Sequence, residues 1–221
     1  MDQDIRIKFL RDFLCAGSSA LLISVAHFYP EYWFVSLFAL VPFLWRAACV
    51  GLLESIVLGG ILATSYCFVT APIALWLIPS SYVLKLLALN VLFALYAVAV
   101  NRLSRHIGFN AICMALLWLP LEFMLSHYTH LGSIFAFSET DSTLLIRVGS
   151  LFGILMVSFV VVLINSLILI FLGCVVRELA GHSDYPHNNN LISYPPFRYI
   201  LRGRNWFYFP DRRSPPLHAL G

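Results

Sequence analysis

The sequence predicts an all-α membrane protein: a polytopic bundle of about six transmembrane helices, both termini cytoplasmic, followed by an irregular cytoplasmic tail. Three observations lead there. Hydrophobic residues make up 60% of the 221 and charged residues 11%, against about 45–50% and about 25% in soluble domains. The apolar residues gather into runs long enough to cross a bilayer, which takes about 20 residues each. The basic residues fall on alternate connections between those runs. Residues 1–176 form the six-helix domain, and 177–221 form a basic, aromatic- and proline-rich tail.

The first run, Phe13 to Phe28, follows a charged start with Arg6, Lys8 and Arg11. No small-x-small cleavage site follows it. Instead Tyr29-Pro30-Glu31-Tyr32-Trp33 reads as an aromatic turn at a membrane interface, so the run is expected to be a retained helix. The second span covers Tyr32 to Val50 with Pro42 inside it, and Arg46 and Glu54 bracket the turn after it. The third, Ser55 to Ile78, is rich in small residues (Gly59, Gly60, Ala63, Ser65) suited to close helix contact, with Pro72 and Pro79 expected to kink and end it. The fourth spans Ser81 to Leu103 and closes on Arg102, Arg105 and His106. Gly108 starts the fifth, which ends near Ser126. The sixth covers Ile146 to Val176.

The 14 basic residues divide unevenly. With the N-terminus inside, Arg6, Lys8, Arg11, Arg46, Arg102, Arg105, Arg177, Arg198, Arg202, Arg204, Arg212 and Arg213 are cytoplasmic, and Lys85 and Arg147 are external. That is a strong positive-inside bias. It leaves the polar loop His127–Thr143 outside. In the tail, Arg198, Arg202 and Arg204 lie close to Trp206, Phe207 and Tyr208. Such a segment binds anionic lipid at about 1 kcal/mol per basic residue near the surface, or docks on a partner protein.

Candidate chemistry concentrates around the hairpin from Trp118 to Leu172. Polar atoms in hydrocarbon are costly and need partners. Glu122 lies about one turn from the external end of the fifth helix, within reach of His127 and His130. A Glu–His pair there could handle protons or grip a ligand, or could serve as a fold-stabilising hydrogen bond. Trp118, Glu122, His127 and His130 are the expected ligand-binding residues, and Glu122 and His127 the weak catalytic candidates. His127-x-x-His130 with Glu139 and Asp141 offers an N/O metal site in principle, and His27 with His130 offers haem ligation. Neither spacing is specific, and no metal or cofactor is predicted. Five cysteines (Cys15, Cys49, Cys67, Cys113, Cys174) without a Cys-x-x-Cys read as inert thiols in apolar segments. Asn90, Asn101 and Asn165 read as interhelical hydrogen-bonding residues. Nothing indicates nucleic-acid binding, and without an internal repeat or charges in mid-span a solute transporter is poorly supported.

Several stretches together resemble one family. Phe28-Tyr29-Pro30, Trp33 and Leu37-Phe38-Ala39-Leu40-Val41-Pro42-Phe43-Leu44 resemble the first hairpin of bacterial apolipoprotein N-acyltransferases. Trp118 with Leu121-Glu122-Phe123 resembles that family's fifth helix. Ser150-Leu151-Phe152-Gly153, Ser158-Phe159 and Asn165 resemble its sixth. Order and spacing agree across about residues 14–172. In that family a seventh helix, a nitrilase-like domain with a Glu-Lys-Cys catalytic set and an eighth helix follow. Nothing after Val176 reads as a span or as such a domain, so none of those catalytic residues is carried over. The family's Arg and Gly after the acidic helix are Leu125 and Ser126 here, and its Gly-Phe-Pro-Trp loop reads Leu131-Gly132-Ser133-Ile134-Phe135.

The resemblance implies a chain of the bacterial cytoplasmic (inner) membrane with bound lipid. The expected role is that of a non-catalytic integral membrane subunit or lipid-binding scaffold, whose partners are membrane lipids and other membrane-protein subunits of a larger complex. The alternative is lipid or lipoprotein acyl transfer, with a separate catalytic domain or through Glu122 and His127.

Overall fold

Helix α1 runs from Asp2 to Phe28, so it begins well before the apolar run that announced it. In the computed structural model, which describes residues 2–70, 79–125, 147, 149–151 and 153–182, every regular element is helical. A short 3₁₀ turn, Pro30–Val35, leads into α2 (Ser36–Ala39) and α3 (Val41–Cys49). Then come α4 (Leu52–Thr70), α5 (Pro79–His106), α6 (Ala111–Met124) and α7 (Ile154–His182).

Five segments are long and apolar enough to cross a membrane: Ile7–Phe28, Pro30–Cys49, Leu52–Val69, Leu86–His106 and Leu155–Val175. The sixth apolar helix, α6, is shorter, at 14 residues. The expected helical bundle is therefore present, and its boundaries differ from the sequence reading in physically instructive ways. The second span is three pieces rather than one helix. Pro42 has no N–H to donate and its ring crowds the preceding turn, so helicity stops at Leu40 and restarts at Val41. Pro79 opens α5 rather than closing the span before it, because the first turn of a helix has no use for that N–H. Helical residues 149–151 do not continue into α7: Gly153 adopts φ +86°, a left-handed conformation that ends a helix, and α7 starts anew at Ile154. Asn110, not Gly108, caps α6, its Oδ1 accepting from the N–H groups of Ile112 (3.0 Å) and Cys113 (3.2 Å).

Packing centres on α3, which touches α1, α4, α5 and α7 and buries Phe43, Leu44, Ala47 and Ala48 completely. Around it, α4 lies against α1 and α5, and α6 lies against α7 and, less extensively, α5. The α4–α5 contact is close because Gly59 has no side chain. A Cβ there would stand 2.5 Å from the Phe93 carbonyl oxygen and 2.7 Å from the Ala94 Cα. That is the close approach expected of the small residues in this span.

The end of the bundle where α1 begins and α3 and α5 finish carries the charge. Asp12 of α1 forms an ion pair with Arg46 of α3, and Arg11, Arg102 and Arg105 lie exposed on the same helices. Asn101 donates to the carbonyls of Ala47 (2.9 Å) and Val50 (2.7 Å), and Arg105 donates to Val50 (2.6 Å). Two α5 side chains thus satisfy carbonyls that the end of α3 leaves open. Glu54 does the corresponding work at the start of α4, accepting the Gly51 N–H at 3.0 Å.

Candidate functional site: a buried carboxylate and a spliced helix

Trp118 and Glu122 are four residues apart on α6, hence on one face of it. Both are wholly buried, and the Trp118 indole N–H donates to Glu122 Oε2 at 2.8 Å. Pro120 sits between them without ending the helix. The indole is held by aromatic rings from other helices. Tyr96 meets it edge-on with centroids 5.0 Å apart at 86°, and Phe93 does the same at 5.8 Å and 76°. Phe43 of α3 stacks on Tyr96 at 6.3 Å and 12°. Edge-to-face pairs of this kind contribute about 0.5–1.5 kcal/mol each beyond the area they bury. The Tyr96 hydroxyl donates to the Met114 carbonyl over a long 3.4 Å. Tyr66 of α4, also buried, lies within electrostatic range of Glu122. A carboxylate in such surroundings requires donors, and the indole supplies one.

A second polar cluster lies where the second span is interrupted. Asn165, wholly buried on α7, accepts the Leu40 N–H on Oδ1 at 2.8 Å and donates through Nδ2 to the Ser36 carbonyl, also at 2.8 Å. Ser36 C=O and Leu40 N–H are the pair that an unbroken helix would join directly. The Asn165 amide is thus spliced into that place, acceptor to donor and donor to acceptor. Its Nδ2 also donates to Val161 of its own helix at 2.8 Å. On the other side of the break, Ser19 Oγ of α1 accepts the Phe43 N–H at 3.1 Å. The interruption made by Pro42 is therefore closed by side chains from α1 and α7.

Of the expected ligand-binding residues, the structure brings Trp118 and Glu122 together. His127, His130, Glu139 and Asp141 lie outside the described residues, as do Arg198, Arg202, Arg204, Trp206, Phe207 and Tyr208 of the tail. Among the described residues no three His, Cys, Asp or Glu side chains converge. His27 is half-buried at the end of α1, edge-on to Phe28 at 5.5 Å; its suggested haem partner His130 is among the residues not described. Cys67 is buried and the other four thiols are partly so. All three asparagines make interhelical or backbone bonds, Asn90 through Thr64 at 3.1 Å and Leu86 at 2.8 Å. Sequence reasoning missed the Asp12–Arg46 pair and the role of Ser19. Pro42 inside an apolar run was the available signal, since it exposes N–H groups that some polar side chain must meet.

The family model for the apolipoprotein N-acyltransferase N-terminal domain matches residues 19–167. That interval takes in the break in the second span, the Trp118–Glu122 pair and Asn165. No curated protein and no solved structure matches the chain.

Proposed function

Because this chain belongs to the apolipoprotein N-acyltransferase N-terminal domain family, we propose that it works as a non-catalytic integral membrane subunit, a lipid-binding scaffold within a larger membrane complex. It has the membrane helices of a lipoprotein-processing lineage. The observation that carries the reading is the condition of Glu122. That carboxylate is wholly buried, bonded to an indole on its own helix and walled by aromatic rings. An acid or base in catalysis needs access to the reacting atoms, whereas Glu122 serves as a fixed post inside the core.

In this proposal the chain lies in the bacterial inner membrane with the Asp12–Arg46 end cytoplasmic, as the distribution of Arg11, Arg46, Arg102 and Arg105 favours. Lipid occupies the external side near α6, and Arg198, Arg202, Arg204, Trp206, Phe207 and Tyr208 meet the inner leaflet or a partner subunit. The test has two arms. Purification in mild detergent should bring down a defined membrane partner in constant ratio. In reconstituted vesicles supplied with phospholipid and lipoprotein, acylation should be absent and should not emerge with the complex unless another subunit supplies the catalytic residues. An acylation activity of this chain that Glu122→Gln abolishes while leaving folding intact would replace this reading with the enzymatic one.

A further inference from the structure

Arg11 and Arg46 lie within membrane-spanning segments, and the fold brings them to one place. At about 1.5 Å per residue, Arg11 is about 6 Å inside the Ile7 end of its span, and Arg46 about 5 Å inside the Cys49 end of the next. Cys15, one turn on from Arg11, is in electrostatic range of Arg46, Asp12 and Arg11. Cys49, at the end of α3, is in range of Arg46, Arg11 and Cys15 itself. The charges gathered around Cys15 are thus two guanidiniums and one carboxylate, a net charge of +1. Asp12 is engaged by Arg46, the paired side chains being 9% and 11% exposed. Arg11 stays exposed.

A net positive charge one turn inside a span calls for a counter-ion. The arginine stem lets its head reach the headgroup layer, where the lipid phosphate is the anion at hand and matches the guanidinium fork. The flanks suit acyl chains. Leu14, three residues on from Arg11 and so on the same face, is 60% exposed, and Trp45, four residues before Cys49 on α3, is 43% exposed. Tryptophan favours this boundary between chains and headgroups. Charge complementarity then selects the lipid. An anionic lipid brings one negative charge to the one positive charge, whereas a zwitterionic lipid brings its own ammonium back towards the guanidiniums.

We propose that the α1–α3 face at this end binds an anionic glycerophospholipid, its phosphate held by Arg11 and Arg46 and its acyl chains lying against Leu14 and Trp45. The site is at the opposite end of the bundle from the lipid placed beside α6, and it does not depend on the functional reading above.

The test uses the full-length chain in phosphatidylcholine vesicles containing a small fraction of tail-brominated phosphatidylglycerol or, in parallel, tail-brominated phosphatidylcholine. Bromine quenches an indole at contact range, and the emission lost in Trp45→Phe isolates Trp45 among the five tryptophans. Brominated phosphatidylglycerol should quench that emission at a fraction about ten-fold lower than brominated phosphatidylcholine, the preference two basic residues confer. Arg11→Gln should reduce the preference about five-fold, the effect of one basic residue, and Arg11→Glu should erase it. Arg102→Gln, at the same depth on α5, should leave it unchanged, with circular dichroism reporting helix content throughout. Equal quenching by the two lipids would overturn the proposal. So would a preference that Arg102→Gln lowers as much as Arg11→Gln, the mark of diffuse surface charge, or one that millimolar inorganic phosphate removes, the mark of a soluble anion.

Discussion

Trp118 and Glu122 show how a single intramembrane carboxylate is kept at low cost. Its donor comes from one turn earlier on the same helix, so the bond forms as soon as α6 does. Glu122→Gln keeps an acceptor for the indole and should cost under about 1 kcal/mol, whereas Glu122→Leu strands a buried N–H and should cost about 1–3 kcal/mol. Reversible unfolding in bicelles, followed by Trp fluorescence, would measure both; equal losses would mean that the indole bond contributes nothing. The sequence marked Trp118 and Glu122 as functional candidates because a lone acid in hydrocarbon demands explanation. It did not show which partner would answer, since Trp118, His127 and His130 all lie within reach on a helical count. Asp12 was harder still. In the sequence it is one more charge in the charged N-terminal start, and only the fold puts Arg46, 34 positions away in the chain, beside it.

At the scale of elements, the interrupted second span is where propensity and hydropathy gave different answers. Hydropathy saw a continuous segment from Tyr32 to Val50. Backbone chemistry at Pro42 divides it, and the division is tolerable because Asn165 and Ser19 satisfy the exposed groups. Asn165→Leu removes the acceptor of the buried Leu40 N–H and one donor to the Ser36 carbonyl, and should destabilise the protein by about 2–6 kcal/mol, at about 1–3 kcal/mol for each group. Asn165→Asp, which keeps an acceptor but no amide donor, should recover only part of the loss. The α4–α5 contact gives a sterner test. Gly59→Ala would place a methyl 2.5 Å from the Phe93 carbonyl oxygen, so the helices must separate, at about 1–3 kcal/mol. Gly60→Ala, with a 3.3 Å contact to a side-chain oxygen, should be milder. A reversed order in thermal melts would mean that the close approach is not at Gly59. The small residues of this span were legible as a contact surface. Which glycine meets the neighbouring backbone was not, because that depends on the rotation of each helix about its axis.

For the molecule as a whole, class and approximate helix count followed from composition and run length. The helix ends were less legible, because capping depends on residues such as Asn110 and Gly153 whose local geometry no hydropathy plot records. Orientation rests on the basic residues. Labelling of single cysteines placed near Arg11 and Arg105 by a membrane-impermeant maleimide should be blocked in intact cells and released on lysis, while a site near Arg147 should label from outside. The reverse pattern would invert the molecule. The splice at Leu40 also bears on how the protein is made. Asn165 is separated from Leu40 by 125 positions, so the second span leaves the ribosome long before the amide that completes it. Until α7 is delivered, that early segment must shelter its open backbone with water, the insertion machinery or a transient alternative pairing. Nascent chains released before Asn165 should therefore be held by the insertase or degraded, and the finished bundle should become protease-resistant in one late step.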